Sequence, residues 1–246
     1  MSESNSNSLD VLGIKPIGDA VSHASQVTID GATSFLAKIC MPAAEEFGLL
    51  VQDKVKVWRA NNAVRVVAEA QRLLPGRVSD LHAHPRLVSA IIENGSWSDD
   101  VDIQKVWGGL LASSCGVDGR DDSNLVFVGL LGHLTSLQVR VLVYACTHCD
   151  KRVNSLGLIG PRGQLLTDEE QLKRIAGSTD IHRIDRELDH LRSLDLLHSG
   201  IEMESGSIDL APTPLALYLY TRCNGFNGSP VEFFCVQTDT PPAQPA

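Results

Sequence analysis

The sequence predicts a mainly α fold, with an N-terminal helical bundle and a C-terminal winged-helix-like α+β module. Three observations carry that expectation. Apolar residues recur every third or fourth position from residue 32 to residue 197, which is the helical period. Aromatic residues make up only 5% of the 246-residue chain, so the core must come from Leu, Val, Ile and Ala, which suits packed helices better than a β-sandwich. The C-terminal part then reads as three helices, two short β runs around Glu204-Ser205-Gly206-Ser207, and a closing helix.

Residues 1–30 are expected to form a disordered or weakly helical leader. Residues 1–8 are rich in Ser and Asn and lack the basic and apolar segments of a signal peptide. Gly13, Pro16 and Gly18 leave room only for a weak helix around 17–26. A stronger helix begins at Ala32, with Phe35, Leu36, Ile39 and Cys40 on one face. Pro42 either starts a new helix or kinks a long one, because Pro fits a first turn and breaks an interior one. Beyond it Phe47, Leu50, Val51, Val55, Trp58, Val64, Val67, Ala68 and Leu74 continue the stripe as one long helix or two collinear ones. Glu45 and Glu46 lie in its first turn, where the helix dipole favours acids. Asn61-Asn62 is its weak point and Pro75-Gly76 its stop.

A shorter helix is predicted over 84–93, closed by Asn94-Gly95. The next, over 98–115, takes Ser98 as N-cap, with Asp99 and Asp100 in the first turn and Ile103, Val106, Trp107, Leu110 and Leu111 as the buried stripe. Residues 115–122 form a polar loop, read as a flexible joint, and 123–134 a short apolar helix. Thr135 and Gln138 match a capping box that opens a helix over 135–146. Residues 150–163 are expected to be loop, followed by a short strand at 164–166. Thr167, with Glu170 three residues on, caps a second helix reaching 176. The third, over 181–197, sets Ile181, Ile184, Leu188, Leu191 and Leu194 in one stripe. Strands at 198–203 and 208–210 flank the turn, and Thr213-Pro214 opens the last helix, to 223. The expected domains are the leader 1–30, a helical domain 31–120, a winged-helix-like domain 121–237 and a Pro-rich disordered tail 238–246.

Thirty acids against twenty-one basic residues give a net charge of −9, which argues against non-specific attraction to nucleic acid. No run reaches the roughly 18 apolar residues of a membrane span. Six scattered cysteines fit reduced thiols used as small core residues, and a cytoplasmic location.

The candidate motifs have simpler structural readings. Cys146-Thr147-His148-Cys149 looks like half of a zinc site, but Cys223 and Cys235 lie far off and do not form a second pair, and the string falls at a helix end where Cys146 continues the apolar stripe. His82-Ala83-His84, beside Asp80 and before Pro85, reads as a loop with partly solvated histidines. Gly157, Gly160 and Gly163 make no phosphate loop, because no Lys-Ser/Thr follows them. The helical stretch over 32–57 mixes acids with lysines and reads as a packing face, not a membrane-surface helix. No catalytic, cofactor-binding or metal-binding residue is assigned, and no cofactor is expected. A DNA-reading third helix would use Arg183, Arg186 and Arg192, yet Asp185, Glu187 and Asp189 share its outward face. Acids and arginines three and four residues apart pair along a solvated face.

Three segments resemble the abortive infection alpha family of bacterial proteins. The first runs from Phe35-Leu36-Ala37-Lys38-Ile39 through Pro42-Ala43-Ala44-Glu45-Glu46-Phe47-Gly48 to Lys56-Val57-Trp58-Arg59-Ala60-Asn61-Asn62. The second joins Pro85-Arg86-Leu87-Val88 to Val106-Trp107-Gly108-Gly109-Leu110-Leu111-Ala112 across an acidic run. The third is Leu134-Thr135-Ser136-Leu137-Gln138-Val139-Arg140-Val141-Leu142. Together they cover most of residues 30–225. The chain departs from the family pattern at Gly108-Gly109, where better helix formers are usual; close helix approach would account for it.

The resemblance implies a role in phage defence, in which an infected cell stops growing or dies before phage are released, and implies no enzymatic activity. The expected protein is therefore non-enzymatic and acts through a protein partner or as a homo-oligomer. The alternative is a winged-helix transcription regulator, disfavoured by net charge.

Overall fold

The computed structural model describes residues 23–49, 54–74, 80–202 and 204–236. The start of the expected leader, the Pro75-Gly76 stop, and the tail at 238–246 lie outside them. The described residues are mainly helical, with short two-stranded sheets. The chain divides into two compact units, Met1–Val128 and Gly129–Ala246.

The first unit opens with α1 (His23–Ile39) and α2 (Met41–Leu49). The weak helix expected at 17–26 and the helix from Ala32 are thus one element from His23 onward. Phe35, Leu36 and Ile39 are buried on its inner face. Pro42 is the second residue of α2, inside the first turn, where its missing N–H removes no helical bond. It starts α2, and α3 (Lys54–Leu73) is the next helix among the described residues. The buried face of α3 differs from the expected stripe. Ala60, Ala63, Val64, Val66, Val67 and Ala70 are buried, together with Arg59 and Asn62, while Trp58 is 39% exposed and Ala68 is exposed too. Polar residues on the inner face broke the apolar pattern and shifted the apparent stripe.

The strand β1 (His82–Ala83) leads into α4 (Pro85–Gly95), and β2 (Cys115–Gly116) follows α5 (Val101–Ser113). The strands pair antiparallel, His82 opposite Gly116 and Ala83 opposite Cys115, so this pair replaces the expected loop around the histidines. It also puts Gly116 in a ladder, at the start of the segment read as a flexible joint. The N-cap of α5 is Asp100, not Ser98: its Oδ1 accepts from Asp102 N at 2.9 Å and Ile103 N at 3.1 Å. Ser98 instead accepts from Asp100 N at 3.3 Å, two residues earlier. The acid satisfies two of the helix's open amides and adds a favourable charge at its N-terminus.

The α3 and α5 helices meet at Gly108. A Cβ there would sit 2.5 Å from Glu69 Cβ and 2.8 Å from the Val66 carbonyl oxygen. Only glycine lets the two helices lie at this separation. The departure from good helix formers at this position therefore has the packing cause expected of it.

α6 (Leu125–Gly132) contains the division between the units. The second unit continues with α7 (Ser136–His148), whose capping box is present as expected: Thr135 Oγ1 accepts from Gln138 N at 3.3 Å and Gln138 Oε1 accepts from Thr135 N at 3.0 Å. Residues expected to be loop instead form a hairpin of β3 (Lys151–Val153) and β4 (Ile159–Pro161), with Val153 opposite Ile159 and both buried. β5 (Leu166–Thr167) precedes α8 (Glu169–Ala176). Thr167 belongs to the strand, paired with Ile208, and the cap of α8 is Asp168, whose Oδ1 accepts from Gln171 N at 2.7 Å.

α9 (Ile181–Ser193) stops four residues short of the expected end at 197. The backbone turns at Asp195, φ 56°, and Leu196 N donates back to Leu191 O at 2.9 Å. Leu196 and Leu197 are buried, so the apolar run continued past the helix without being helical. β6 (Ile208–Asp209) pairs antiparallel with β5, and an isolated bridge joins Ile201 to Ile208. α10 (Pro214–Cys223), capped by Thr213, matches expectation. α11 (Pro230–Phe233), with its Ser229/Glu232 capping box, was not foreseen. Tyr220, Phe226, Phe233 and Phe234 form an aromatic cluster where α11 follows α10, with centroids 4.9–6.1 Å apart.

Candidate functional site

The sequence-predicted candidates Arg183, Arg186 and Arg192 all lie on the exposed side of α9, while Ile184, Leu188 and Leu191 fill the core behind them. Each arginine has an acid beside it. Arg192 Nη2 is 2.8 Å from Asp189 Oδ1, Arg186 Nη2 is 3.8 Å from Glu187 Oε1, and Arg183 Nε is 4.0 Å from the same oxygen. The Arg192–Asp189 pair is exposed on both sides and adds little stability. The acids do reduce the positive field that the helix face could offer to a phosphate backbone.

Glu187 is the residue that sequence reasoning missed. It was expected on the solvated face but is 8% exposed. Its Oε2 accepts from Thr135 Oγ1 at 2.9 Å, which ties α9 to the first turn of α7. Gln138 completes the tie: its Nε2 donates to the Glu187 carbonyl at 3.0 Å and lies 2.8 Å from His190 Nδ1. The signal available in the sequence was the position of Glu187 beside Leu188, on the edge of the apolar stripe.

A second polar constellation occupies the interior of the first unit. Arg59 Nε and Nη2 reach Ser96 Oγ at 3.0 and 2.9 Å, and Nη2 pairs with Glu93 Oε2 at 2.6 Å. The guanidinium also lies 4.2 Å from the centroid of the Trp97 ring, in cation–π range. Asn62 Nδ2 donates to the Ser96 carbonyl at 3.1 Å, and Gln104 Nε2 bridges Asn62 Oδ1 at 3.4 Å and the Ser98 carbonyl at 2.9 Å. The weak point read at Asn61-Asn62 is therefore a fastening for α3, α4 and α5. Partial burial pushes the Glu93 carboxyl upward, but the Arg59 hydrogen bond, the Trp97 indole and the Arg59 charge outweigh it and hold its pKa below the usual carboxylate value.

Cys146 and Cys149 are both buried at the end of α7. Burial pushes both thiols up, and Cys223 likewise, so thiolate chemistry is suppressed at all three. His82 lies in β1, and His84 caps α4, its Nδ1 accepting from Arg86 N at 3.3 Å. Among the described residues no group of three or more His, Cys, Asp or Glu is arranged to hold a metal ion. No described helix is long and apolar enough to cross a membrane.

The described residues define a mainly helical protein of two compact units, whose interior polar groups fasten helices to one another. The chain belongs to the abortive infection alpha family, the model of which matches residues 59–209. That span runs from Arg59 in α3 to Asp209 in β6, so it draws on both units. No curated protein and no solved structure matches the chain.

Proposed function

We propose that this protein acts in abortive infection, limiting phage spread through protein contacts and without catalysis of its own. The match to the abortive infection alpha family over residues 59–209 carries the reading. On it, the helical part senses infection or arrests growth, and the C-terminal module, residues 121–237, is a winged-helix-like assembly surface. The order of α7, β5, α8, α9 and β6 supports that module, as do the pairing of β5 with β6 and the Ile201–Ile208 bridge. The acids beside Arg183, Arg186 and Arg192, and a net charge of −9, favour a protein partner or a second copy over nucleic acid. The proposed location is the cytoplasm.

The test is phage plating on bacteria that express the chain, against a broad phage panel, with survival of infected cells counted in parallel. At least one phage is expected to plate markedly less well, with infected cells dying or arresting before release. Unchanged plating and unchanged survival across the panel would end this reading. Proteins that co-purify with the chain before and after infection would identify the contact.

A further inference from the structure

The hairpin of β3 and β4 ends in an apolar tip that no described residue covers. Leu156 is 81% exposed and Leu158 is 52% exposed, whereas Val153 and Ile159, just below them, are buried. The tip is held in one shape. Asn154 Oδ1 accepts from Leu156 N at 3.0 Å and from Leu158 N at 2.9 Å. Asn154 N donates to Leu158 O at 3.0 Å and Gly157 N to Asn154 O at 2.9 Å, with Gly157 at φ 79°, a conformation that favours glycine. Four tip amides are thus bonded within the turn, which removes much of the cost of taking this backbone out of water.

Charge gives the tip a direction. The chain as a whole is acidic at −9, yet residues 150–163 carry Lys151, Arg152 and Arg162 against the single acid Asp150. Arg152 and Arg162 are exposed, Arg152 in β3 before the turn and Arg162 just past β4, so the two flank the base of the tip on its two arms. Lys151 stays at the base, donating to the Cys149 carbonyl at 2.9 Å with its ammonium 4.4 Å from the Phe234 ring centroid.

We propose that this hairpin is a membrane-contact element: its two leucines enter the interface of an anionic bilayer while Arg152 and Arg162 lie among the lipid phosphates. Interfacial binding places apolar side chains roughly 5–10 Å into the headgroup–acyl boundary, with basic groups beside them at the anionic headgroups. Two leucines on a convex tip supply a small fraction of the roughly 800 Å² that each side of a stable protein interface buries. The acid-rich remainder of the chain, at a net −9, is repelled by the same anionic surface, so attraction must come from the leucines and the local basic charge, and the repulsion acts only to turn the hairpin foremost. This inference does not rest on the defence reading.

Flotation of the full chain with lipid vesicles tests it. The protein is expected to rise with vesicles of phosphatidylcholine and phosphatidylglycerol, to stay behind with phosphatidylcholine alone, and to be released by added salt. Leu156→Ser combined with Leu158→Ser should lower the bound-to-free ratio about tenfold or more, and Arg152→Glu should do so separately. All three side chains are exposed, so thermal melting should match the parent chain and show that the variants fold. Parent protein left behind by the anionic vesicles would overturn the proposal, and so would equal flotation with neutral vesicles. Variants that rise as well as the parent would also overturn it. If the parent stays behind, the tip is left to a protein groove.

Discussion

Replacing Gly108 with Leu is expected to destabilise the first unit by about 3 kcal/mol or more, the upper range for overpacking a closed helix contact. The added Cβ alone would fall 2.5 Å from Glu69 Cβ and 2.8 Å from a main-chain oxygen, and neither atom is the free end of a flexible side chain. The α3 and α5 helices would have to separate, opening space along Val66, Val67 and Leu111, all of which are buried. Gly108→Ala sets the same clash against a gain of about 1 kcal/mol in helix propensity, and should come out destabilised by about 1 kcal/mol. Gly129→Ala is the control. It lies in α6 with nothing within 4 Å of the new Cβ, so the propensity gain should appear unopposed. Urea unfolding of the three variants measures the series, and a Gly108→Leu chain as stable as the parent would refute the close approach.

Arg59→Ala is expected to cost about 2–4 kcal/mol near pH 7, because it removes several hydrogen bonds and a stacked cation at once. Two of those bonds go to Ser96, which is fully buried. Arg59→Lys keeps the charge but cannot serve Ser96 and Glu93 together, so it should fall between the two. The loss should also depend on pH. Glu93 is held below its ordinary pKa in the folded chain, so its contribution is fully present above the unfolded value, about 4.3. It fades as pH falls through the lower, folded value. The gap between parent and Arg59→Ala should therefore narrow from about pH 7 to about pH 3.5. A gap of constant size across that range would show that the ion pair contributes nothing.

The helical class, the Thr135/Gln138 box, the stripe of α9 and the Thr213-Pro214 start were legible because each depends on neighbours within one or two turns. Boundaries were misread where two local signals competed. Ser98 and Asp100 could both cap α5, and the better acceptor stands nearer the helix. Thr167 and Asp168 could both cap α8, and strand pairing with Ile208 had claimed the threonine backbone. Leu194, Leu196 and Leu197 extended an apolar run whose helix ends at Ser193, because the chain reverses at Asp195 and stays in the core.

The hairpin at 151–161 was hidden by its brevity. Only Val153 and Ile159 mark its buried face, and the glycines around them suggested a loop. The interior polar groups were illegible for a different reason. Arg59, Asn62, Gln104 and Glu187 find partners 34 to 52 residues away, at separations that no periodicity reports. A polar residue on the inner side of a helix looks locally like a flaw in the pattern, and only the fold supplies what it bonds.

One amide group, on Gln138, both closes the opening turn of α7 and clasps the middle of α9. Loosening at the first place is therefore the same molecular event as release at the second. In hydrogen exchange, the amide of Val139 and those of the α9 turn around Glu187 should open together, and Gln138→Leu should raise both exchange rates in step. Two helices joined in that way move as one lever, so a push on the outer side of α9 arrives at the start of α7.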